Sequence, residues 1–191
     1  MADLSSGPIG KFAAFPFEKP PAIPYVRWRN NGSKETPMSD DLENTLILTL
    51  DTGPVTIKLR PDLAPNHVAR IKELARQGFY DGIVFHRVIP GFMAQGGDPE
   101  GKGFGGSGQK IKAEFNSLPH VRGVCSMARS QNPDSADSQF FICFDDARFL
   151  DGQYTAWGEV TDGMDNVDAL PKGEPPRSPG KIVSMKVAAD A

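Results

Sequence analysis

The segment from residue 85 to residue 98, FHRVIPGFMAQGGD, constrains the fold of this chain most strongly. It contains two short runs of β-forming residues on either side of the pair Pro90-Gly91, and two glycines follow the second run. A Pro-Gly pair favours a turn, so we predict two short strands joined at this pair. The segment therefore indicates β structure with a tight turn at its centre.

Side chains alternate between the two faces of a strand. Phe85 and Arg87 are therefore expected on one face of the first strand, with His86 on the other. Met93 and Gln95 share a face of the second strand. A guanidinium, an amide and large apolar side chains then converge, which suits an apolar pocket with one fixed positive donor. Because no nucleophile stands beside a base and no cluster of metal ligands is visible, we predict neither covalent catalysis nor a metal or other cofactor.

The composition argues against several classes of protein. The chain has 191 residues and a formal net charge of −3, which allows one domain and disfavours a basic nucleic-acid-binding surface. No apolar run approaches the roughly 18 residues that suggest a membrane span. Residues 1–7 lack the features of a secretion signal. We therefore expect a cytoplasmic monomer that binds neither nucleic acid nor membranes, in which Cys125 and Cys143 are buried thiols.

Residues 1–43 differ in composition from the rest of the chain and are interpreted as an N-terminal extension. Residues 15–25, FPFEKPPAIPY, are rich in proline and aperiodic, which excludes a regular helix or a central strand. Three interpretations remain open: a flexible extension, an arm that docks on the domain, and non-native residues that precede a true start at Met38. We favour a poorly ordered extension.

The rest of the chain, residues 44–191, predicts one mainly β domain. Short apolar or alternating runs predict eight strands, at residues 45–50, 55–60, 83–88, 92–95, 123–128, 139–144, 155–160 and 181–187. A helix is predicted from Pro65 to Gly78, and a shorter one between residues 163 and 170. Because most strands lack an intervening helix, we expect antiparallel pairing in a closed eight-stranded β-barrel capped by two α-helices.

The histidines and the glycine-rich run at residues 101–106 do not indicate a catalytic or ligand-binding role. His86 is interpreted as a structural, hydrogen-bonded residue, His67 as a solvated residue of the helix, and His120 as a loop residue. Their spacing does not match that of zinc ligands. Residues 101–106, GKGFGG, match a dinucleotide-binding pattern, but no helix is predicted after them, so we interpret them as a loop.

A series of motifs makes the domain resemble the cyclophilins, which are peptidyl-prolyl cis–trans isomerases, in their compact bacterial form. The resemblance covers roughly residues 44–188. In order, the motifs are FHR at 85–87, PGFM at 90–93, QGGD at 95–98, SMAR at 126–129, SQFFI at 138–142, FLDG at 149–152, GEV at 158–160 and DGMD at 162–165. Each motif is weak alone, but the complete series in the family's order is specific. The family's fold, a β-barrel capped by two helices, agrees with the strand count above.

The resemblance implies a set of site residues. Arg87 matches the family's catalytic arginine, and Gln95 is expected either to orient it or to hydrogen-bond the substrate carbonyl. Substrate-binding positions are matched by Phe92, Met93, Ala128, Arg129, Gln139, Phe141, Phe149, Leu150 and Tyr154. The implied partners are proline-containing peptides and unfolded protein clients. The alternative is a non-catalytic module that binds proline segments, or acts as a chaperone, through the same groove.

Three of these positions depart from the best-known eukaryotic pattern. Arg129 replaces an asparagine, Phe149 a tryptophan and Tyr154 a histidine. The family's tryptophan donates its indole N–H to the inhibitor cyclosporin, and phenylalanine has no such donor. The resemblance therefore implies isomerase activity together with weakened cyclosporin binding.

Overall fold

The computed structural model describes residues 39–191. The predicted extension lies outside these residues apart from its end, where Ser39–Glu43 form a short helix, α1, that was not predicted. The carboxylate of Glu43 lies 3.0 Å from the Lys72 ammonium and 2.8 Å from the Arg76 guanidinium. Both basic residues belong to the long helix α2, Pro65–Arg76, so the ion pairs link α1 to that helix.

Eight antiparallel strands form one sheet, and each overlaps a predicted strand. They are β1 Thr45–Leu50, β2 Gly53–Leu59, β3 Arg87–Ile89, β4 Met93–Gly96, β5 Val124–Met127, β6 Phe140–Cys143, β7 Ala156–Asp162 and β8 Ile182–Val187. Their order across the sheet is β3-β4-β6-β5-β7-β2-β1-β8. The predicted mainly β, antiparallel architecture is therefore confirmed.

The sheet curls into a half-barrel, and its two edge strands, β3 and β8, do not pair with each other along a continuous ladder. The edges are bridged just before β3, where the Phe85 N–H donates to the Gly180 carbonyl at 2.8 Å and the Gly82 N–H to the Ile182 carbonyl at 2.7 Å. Because these bonds involve residues 82–85 rather than β3 itself, the edges meet locally. The prediction of a closed barrel is not confirmed.

The helices agree with the apolar periodicity of the sequence. In α2, Pro65 occupies the first turn, and Val68, Ile71 and Leu74 are buried against the sheet. Each such side chain contributes roughly 1.5–3 kcal/mol by burial. The predicted second helix is α3, Met164–Asp168. Within residues 39–191, no helix combines the length and the apolar character needed to cross a bilayer.

A buried carboxylate holds the first turn of α2. Glu114 accepts hydrogen bonds from the backbone N–H groups of Asn66 and His67, at 3.1 and 2.9 Å, and lies 2.6 Å from His67 Nδ1. Because His67 is fully buried in this contact, its prediction as a solvated residue is wrong. Burial lowers the pKa of His67, against the opposing effect of Glu114. Burial raises the pKa of Glu114, but its hydrogen bonds outweigh that effect and the net shift is downward.

We expect Glu114→Ala to lower the free energy of unfolding at pH 7.5 by about 1–3 kcal/mol, because it leaves the backbone N–H and the buried ring of His67 without their hydrogen-bond partner. Urea denaturation measures this change. Glu73→Ala is the matched control, since Glu73 is an exposed acidic residue of the same helix, and it should cost less than about 1 kcal/mol. Equal losses in the two variants would contradict this role of Glu114.

Acid should lower the stability of the fold at the same place, because the buried His67 ring must then carry a charge. The folded pKa of His67 lies below its ordinary value of 6.5, so this contribution to stability is present above that pH and is lost as the pH falls below it. The Glu114 contribution is present above its ordinary pKa of 4.5 and is lost at lower pH, as the folded pKa is passed. Urea denaturation at pH 7.5 and 5.5 should therefore show lower stability at pH 5.5, and a smaller pH effect in a His67→Gln variant.

Candidate active site

One row of side chains crosses three neighbouring strands and leads into a groove. Arg87 of β3 pairs with Gln95 of β4, and Gln95 pairs with Phe141 of β6. Directly opposed residues in an antiparallel sheet point to the same face. The adjacent row, Val88, Ala94 and Ile142, is fully buried in the main core on the opposite face. The register therefore places Arg87, Gln95 and Phe141 together on the outer face.

A second, smaller hydrophobic cluster covers this outer face, and we call it the outer cluster. Its buried members are Met93, Phe141, Cys143, Ala147 and Leu150, and Ile89, Phe92, Ala128 and Tyr154 pack against them at partial exposure. The outer cluster forms the floor of a groove with a volume of about 630 Å³. A groove of this size accommodates a small ligand or a short peptide segment.

Most of the predicted site residues line the groove. They are Arg87, Phe92, Met93, Gln95, Ala128, Arg129, Phe141, Leu150 and Tyr154. Strand alternation alone would place Phe92 and Met93 on opposite faces. The structure resolves this because β4 begins at Met93, and Phe92 lies in the turn before it, where its N–H donates to the Ile89 carbonyl.

Two predicted site residues lie beside the groove rather than in its lining. Phe149 is 66% exposed, and its ring packs at 5.4 Å on that of Phe92 at the rim. Gln139 Oε1 accepts a 3.0 Å hydrogen bond from Gln95 Nε2, and Gln139 Nε2 donates to the backbone carbonyl of Gly105 at 2.8 Å. Gln139 therefore orients the Gln95 side chain from outside the groove lining.

Arg87 is held by a residue that the sequence did not indicate. Its Nε donates a 2.9 Å hydrogen bond to Glu174 Oε2. The Arg87 side chain is 42% exposed. Within residues 39–191, its terminal nitrogens make no hydrogen bond, and Gln95 makes none to it. The two terminal nitrogens can therefore donate to a ligand in the groove.

His86 also lines the groove, although it was expected on the opposite strand face from Arg87. Because β3 begins at Arg87, strand alternation does not extend back to residues 85 and 86. Phe85 packs instead in the main core, with its ring 6.1 Å from that of Phe140. His86 Nδ1 is buried without a hydrogen-bond partner among the described residues, so His86 was wrongly predicted to be hydrogen-bonded. Burial lowers the pKa of His86.

Two departures from the best-known family pattern form one contact at the end of the groove. The Arg129 guanidinium lies 4.7 Å from the centre of the Tyr154 ring, within the range of a cation–π interaction. Arg129 Nε also donates to the Gln153 carbonyl at 2.9 Å. The substitutions at 129 and 154 therefore support each other, and the backbone of Ala128 stays hydrogen-bonded to Gln139.

A hydrogen-bonded network around the buried His120 supports Phe141. His120 Nδ1 lies 2.8 Å from Asp151 Oδ1, and its Nε2 lies 3.0 Å from Ser126 Oγ. The His120 ring stacks on Phe141. The residue types resemble those of a hydrolase triad, but Ser126 is fully buried and out of reach of a substrate. The network therefore positions an apolar wall and offers no nucleophile.

The thiols do not provide a nucleophile either. Cys125 and Cys143 are free and buried, as predicted. Burial raises the pKa of Cys143 to about 12 and that of Cys125 well above its ordinary range. No group of three or more His, Cys, Asp or Glu residues within 39–191 is arranged to hold a metal ion. The groove itself combines an apolar floor with the cationic side chains of Arg87, Lys102 and Arg129.

Comparison with known proteins agrees with this arrangement. Residues 45–187 match the model of the family described as cyclophilin type peptidyl-prolyl cis-trans isomerase/CLD. A probable peptidyl-prolyl cis-trans isomerase of Brucella suis is 52% identical over 176 residues, which cover 83% of this chain and 90% of the relative. Peptidyl-prolyl cis-trans isomerase B of Bacillus subtilis is 43% identical over 130 residues, covering 67% and 90% of the two chains.

Solved structures show the same fold. The cyclophilin AquaCyp293 from Hirschia baltica superimposes with a TM-score of 0.74 at 33% identity, covering 79% of this chain and 76% of that one. A cyclophilin type peptidyl-prolyl cis-trans isomerase of Cryptosporidium parvum, crystallised in the presence of the dipeptide Ala-Pro, gives a TM-score of 0.70 at 29% identity, covering 75% and 98%. With the match over residues 45–187, these findings show that the chain belongs to the cyclophilin-type peptidyl-prolyl cis–trans isomerases.

Proposed function

We propose that this isomerase rotates X–Pro bonds without covalent chemistry, by using Arg87 to stabilise the twisted amide above the outer cluster. The observation that carries the proposal is the position of Arg87. Its guanidinium lines the groove, and its two terminal nitrogens have no hydrogen-bond partner among residues 39–191. The fold therefore leaves a charged hydrogen-bond donor available to a substrate in the groove.

The chemistry of the prolyl bond explains why such a donor is useful. Delocalisation of the nitrogen lone pair gives the peptide bond a rotational barrier of about 18–20 kcal/mol. In the twisted state the lone pair is localised on the prolyl nitrogen, where it can accept a hydrogen bond. A donor aimed at that nitrogen binds the twisted state better than either planar isomer, and this difference lowers the barrier.

Arginine suits this role because its guanidinium stays charged and presents several donors in a fixed plane. By analogy with the loss of one oxyanion-hole donor, a preorganised charged donor contributes roughly 3–4 kcal/mol to the transition state. That free energy corresponds to about two to three decades in rate. A bound peptide, together with the apolar side chains beside Arg87, would exclude water from the guanidinium and so strengthen the interaction.

The outer cluster is proposed to grip the proline ring while the preceding acyl group rotates. Phe92, Met93, Phe141 and Leu150 supply its apolar surface. The Cryptosporidium parvum relative crystallised in the presence of Ala-Pro supports proline-containing peptides as the substrate class. We extend this class to exposed X–Pro bonds in unfolded protein clients. We further propose that the protein acts as a monomer.

We expect Arg87→Ala to lower kcat/KM for an X–Pro peptide by about two to three decades, because the variant loses the donor to the twisted amide. Two-dimensional NMR exchange on the peptide measures the rate, and chemical-shift titration measures peptide binding. Binding should change much less than the rate.

Arg76→Ala is the matched control for this experiment. Arg76 is 43% exposed and ion-paired like Arg87, but it lies in α2, outside the groove. This variant should keep wild-type activity. If wild type and Arg87→Ala both bind the peptide and neither accelerates exchange, the groove is a recognition site and the proposed mechanism is wrong.

Cyclosporin provides a separate test of the groove rim. Phe149 lies at the rim, where the best-known family pattern has a tryptophan that donates to the inhibitor. We expect Phe149→Trp to tighten cyclosporin binding by about two- to tenfold, which corresponds to one added hydrogen bond. Isothermal titration calorimetry measures the affinity. Phe149→Leu should not tighten binding, and equal gains in both variants would exclude the indole N–H as the cause.

A further inference from the structure

We infer that Glu174 is a positioning residue that orients Arg87 for isomerisation; this inference rests on the proposed function of Arg87. Glu174 and its neighbour Pro175 line the groove beside Arg87. The Glu174 carboxylate accepts the 2.9 Å hydrogen bond from Arg87 Nε. The two residues are 87 positions apart in the chain, so the fold has to bring them together.

Backbone pairing brings Arg87 and Glu174 together. Val88 and Gly173 form an antiparallel bridge in which each N–H donates to the other's carbonyl at 2.8 Å. In an antiparallel bridge, the residue before one partner lies opposite the residue after the other. Arg87 therefore lies across from Glu174, as directly opposed residues of neighbouring strands do.

The conformation at residue 173 favours glycine. Gly173 has a φ of +148°, and a Cβ there would lie 2.7 Å from Pro176 Cα and 2.9 Å from the Pro175 carbonyl oxygen. A residue with a side chain would have to displace that backbone. The backbone at 173–176 is thus closely packed, and Glu174 within it lines the groove.

The contact with Glu174 does not occupy all the hydrogen-bond donors of Arg87. Glu174 bonds to Nε, so the two terminal nitrogens can still donate to the prolyl nitrogen of a substrate. Gln95, the residue expected from the sequence to orient Arg87, donates instead to Gln139. Within the described part of the chain, Glu174 is the hydrogen-bond partner that orients the guanidinium.

The exposure of the Arg87–Glu174 ion pair indicates that Glu174 orients Arg87 rather than stabilising the fold. Arg87 and Glu174 are 42% and 51% exposed, and exposed ion pairs contribute little to folding. A flexible arginine side chain, however, has many rotamers, and one hydrogen bond at Nε restricts them before the substrate arrives. The negative charge acts in the opposite direction, because it weakens the positive field of Arg87. The orienting effect is therefore expected to come from the hydrogen bond rather than from the charge.

Two variants separate the hydrogen bond from the charge. Glu174→Ala removes both, and we expect kcat for an X–Pro peptide to fall by about three- to tenfold with KM changed less than about twofold. Glu174→Gln keeps an acceptor oxygen without the charge, and its kcat should return to within about twofold of wild type. Line-shape analysis of peptide NMR spectra at several peptide concentrations gives both constants.

A second readout does not depend on activity. The Nε–H resonance of Arg87 in the substrate-free protein should shift in Glu174→Ala and stay close to its wild-type position in Glu174→Gln. Asp190→Ala is the matched control, since Asp190 pairs with Arg76 at similar exposure, 45% and 43%, outside the groove. This control should change neither kcat nor the Arg87 resonance.

The outcomes distinguish this inference from the function on which it rests. Wild-type activity with an unchanged kcat in Glu174→Ala would overturn the role of Glu174 alone. Equal losses in Glu174→Ala and Glu174→Gln would overturn it as well, because the charge would then be the cause. A wild-type protein that does not accelerate exchange would overturn the proposed function itself, and with it this role.

Discussion

The register of β4 between β3 and β6 is the constraint on which the rest of the site depends. Because Arg87, Gln95 and Phe141 oppose one another across these strands, a guanidinium, an amide and an aromatic ring share the outer face. The same register sends Val88, Ala94 and Ile142 into the main core. A slip of one residue would exchange the two faces. Burial of the apolar row therefore holds the groove in register, and the proposed catalysis uses the geometry that packing stabilises.

The residues that depend on local pattern were predictable from the sequence. The period-2 alternation around Gln95 and Phe141 indicates which side chains face the groove, and the apolar spacing in residues 65–76 indicates the helix. The family motifs add the proposed role of Arg87, which alternation alone does not indicate. Cys125 and Cys143 lie in apolar runs, and their burial follows from those runs.

Residues set by long-range contacts were not predictable in the same way. Glu174 reaches Arg87 through a two-residue bridge in irregular chain, for which no periodicity exists. His86 lines the groove because β3 starts at Arg87, four residues after the start of the predicted strand, and His67 is buried beside a carboxylate 47 positions away. The edges of the sheet meet through residues 82–85, so the barrel does not close along a strand ladder. Each case depends on a partner that lies far away in sequence.

The central claim is that Arg87 distinguishes a twisted amide from a planar one. The most direct test compares two ligands by calorimetry: a planar proline peptide, and a peptidomimetic with a non-planar group and an acceptor at the position of the prolyl nitrogen. The account predicts that Arg87→Ala weakens the non-planar ligand by about two to three decades, and the planar peptide by far less. Equal weakening of both ligands would show that Arg87 contributes uniform binding, and would contradict the account.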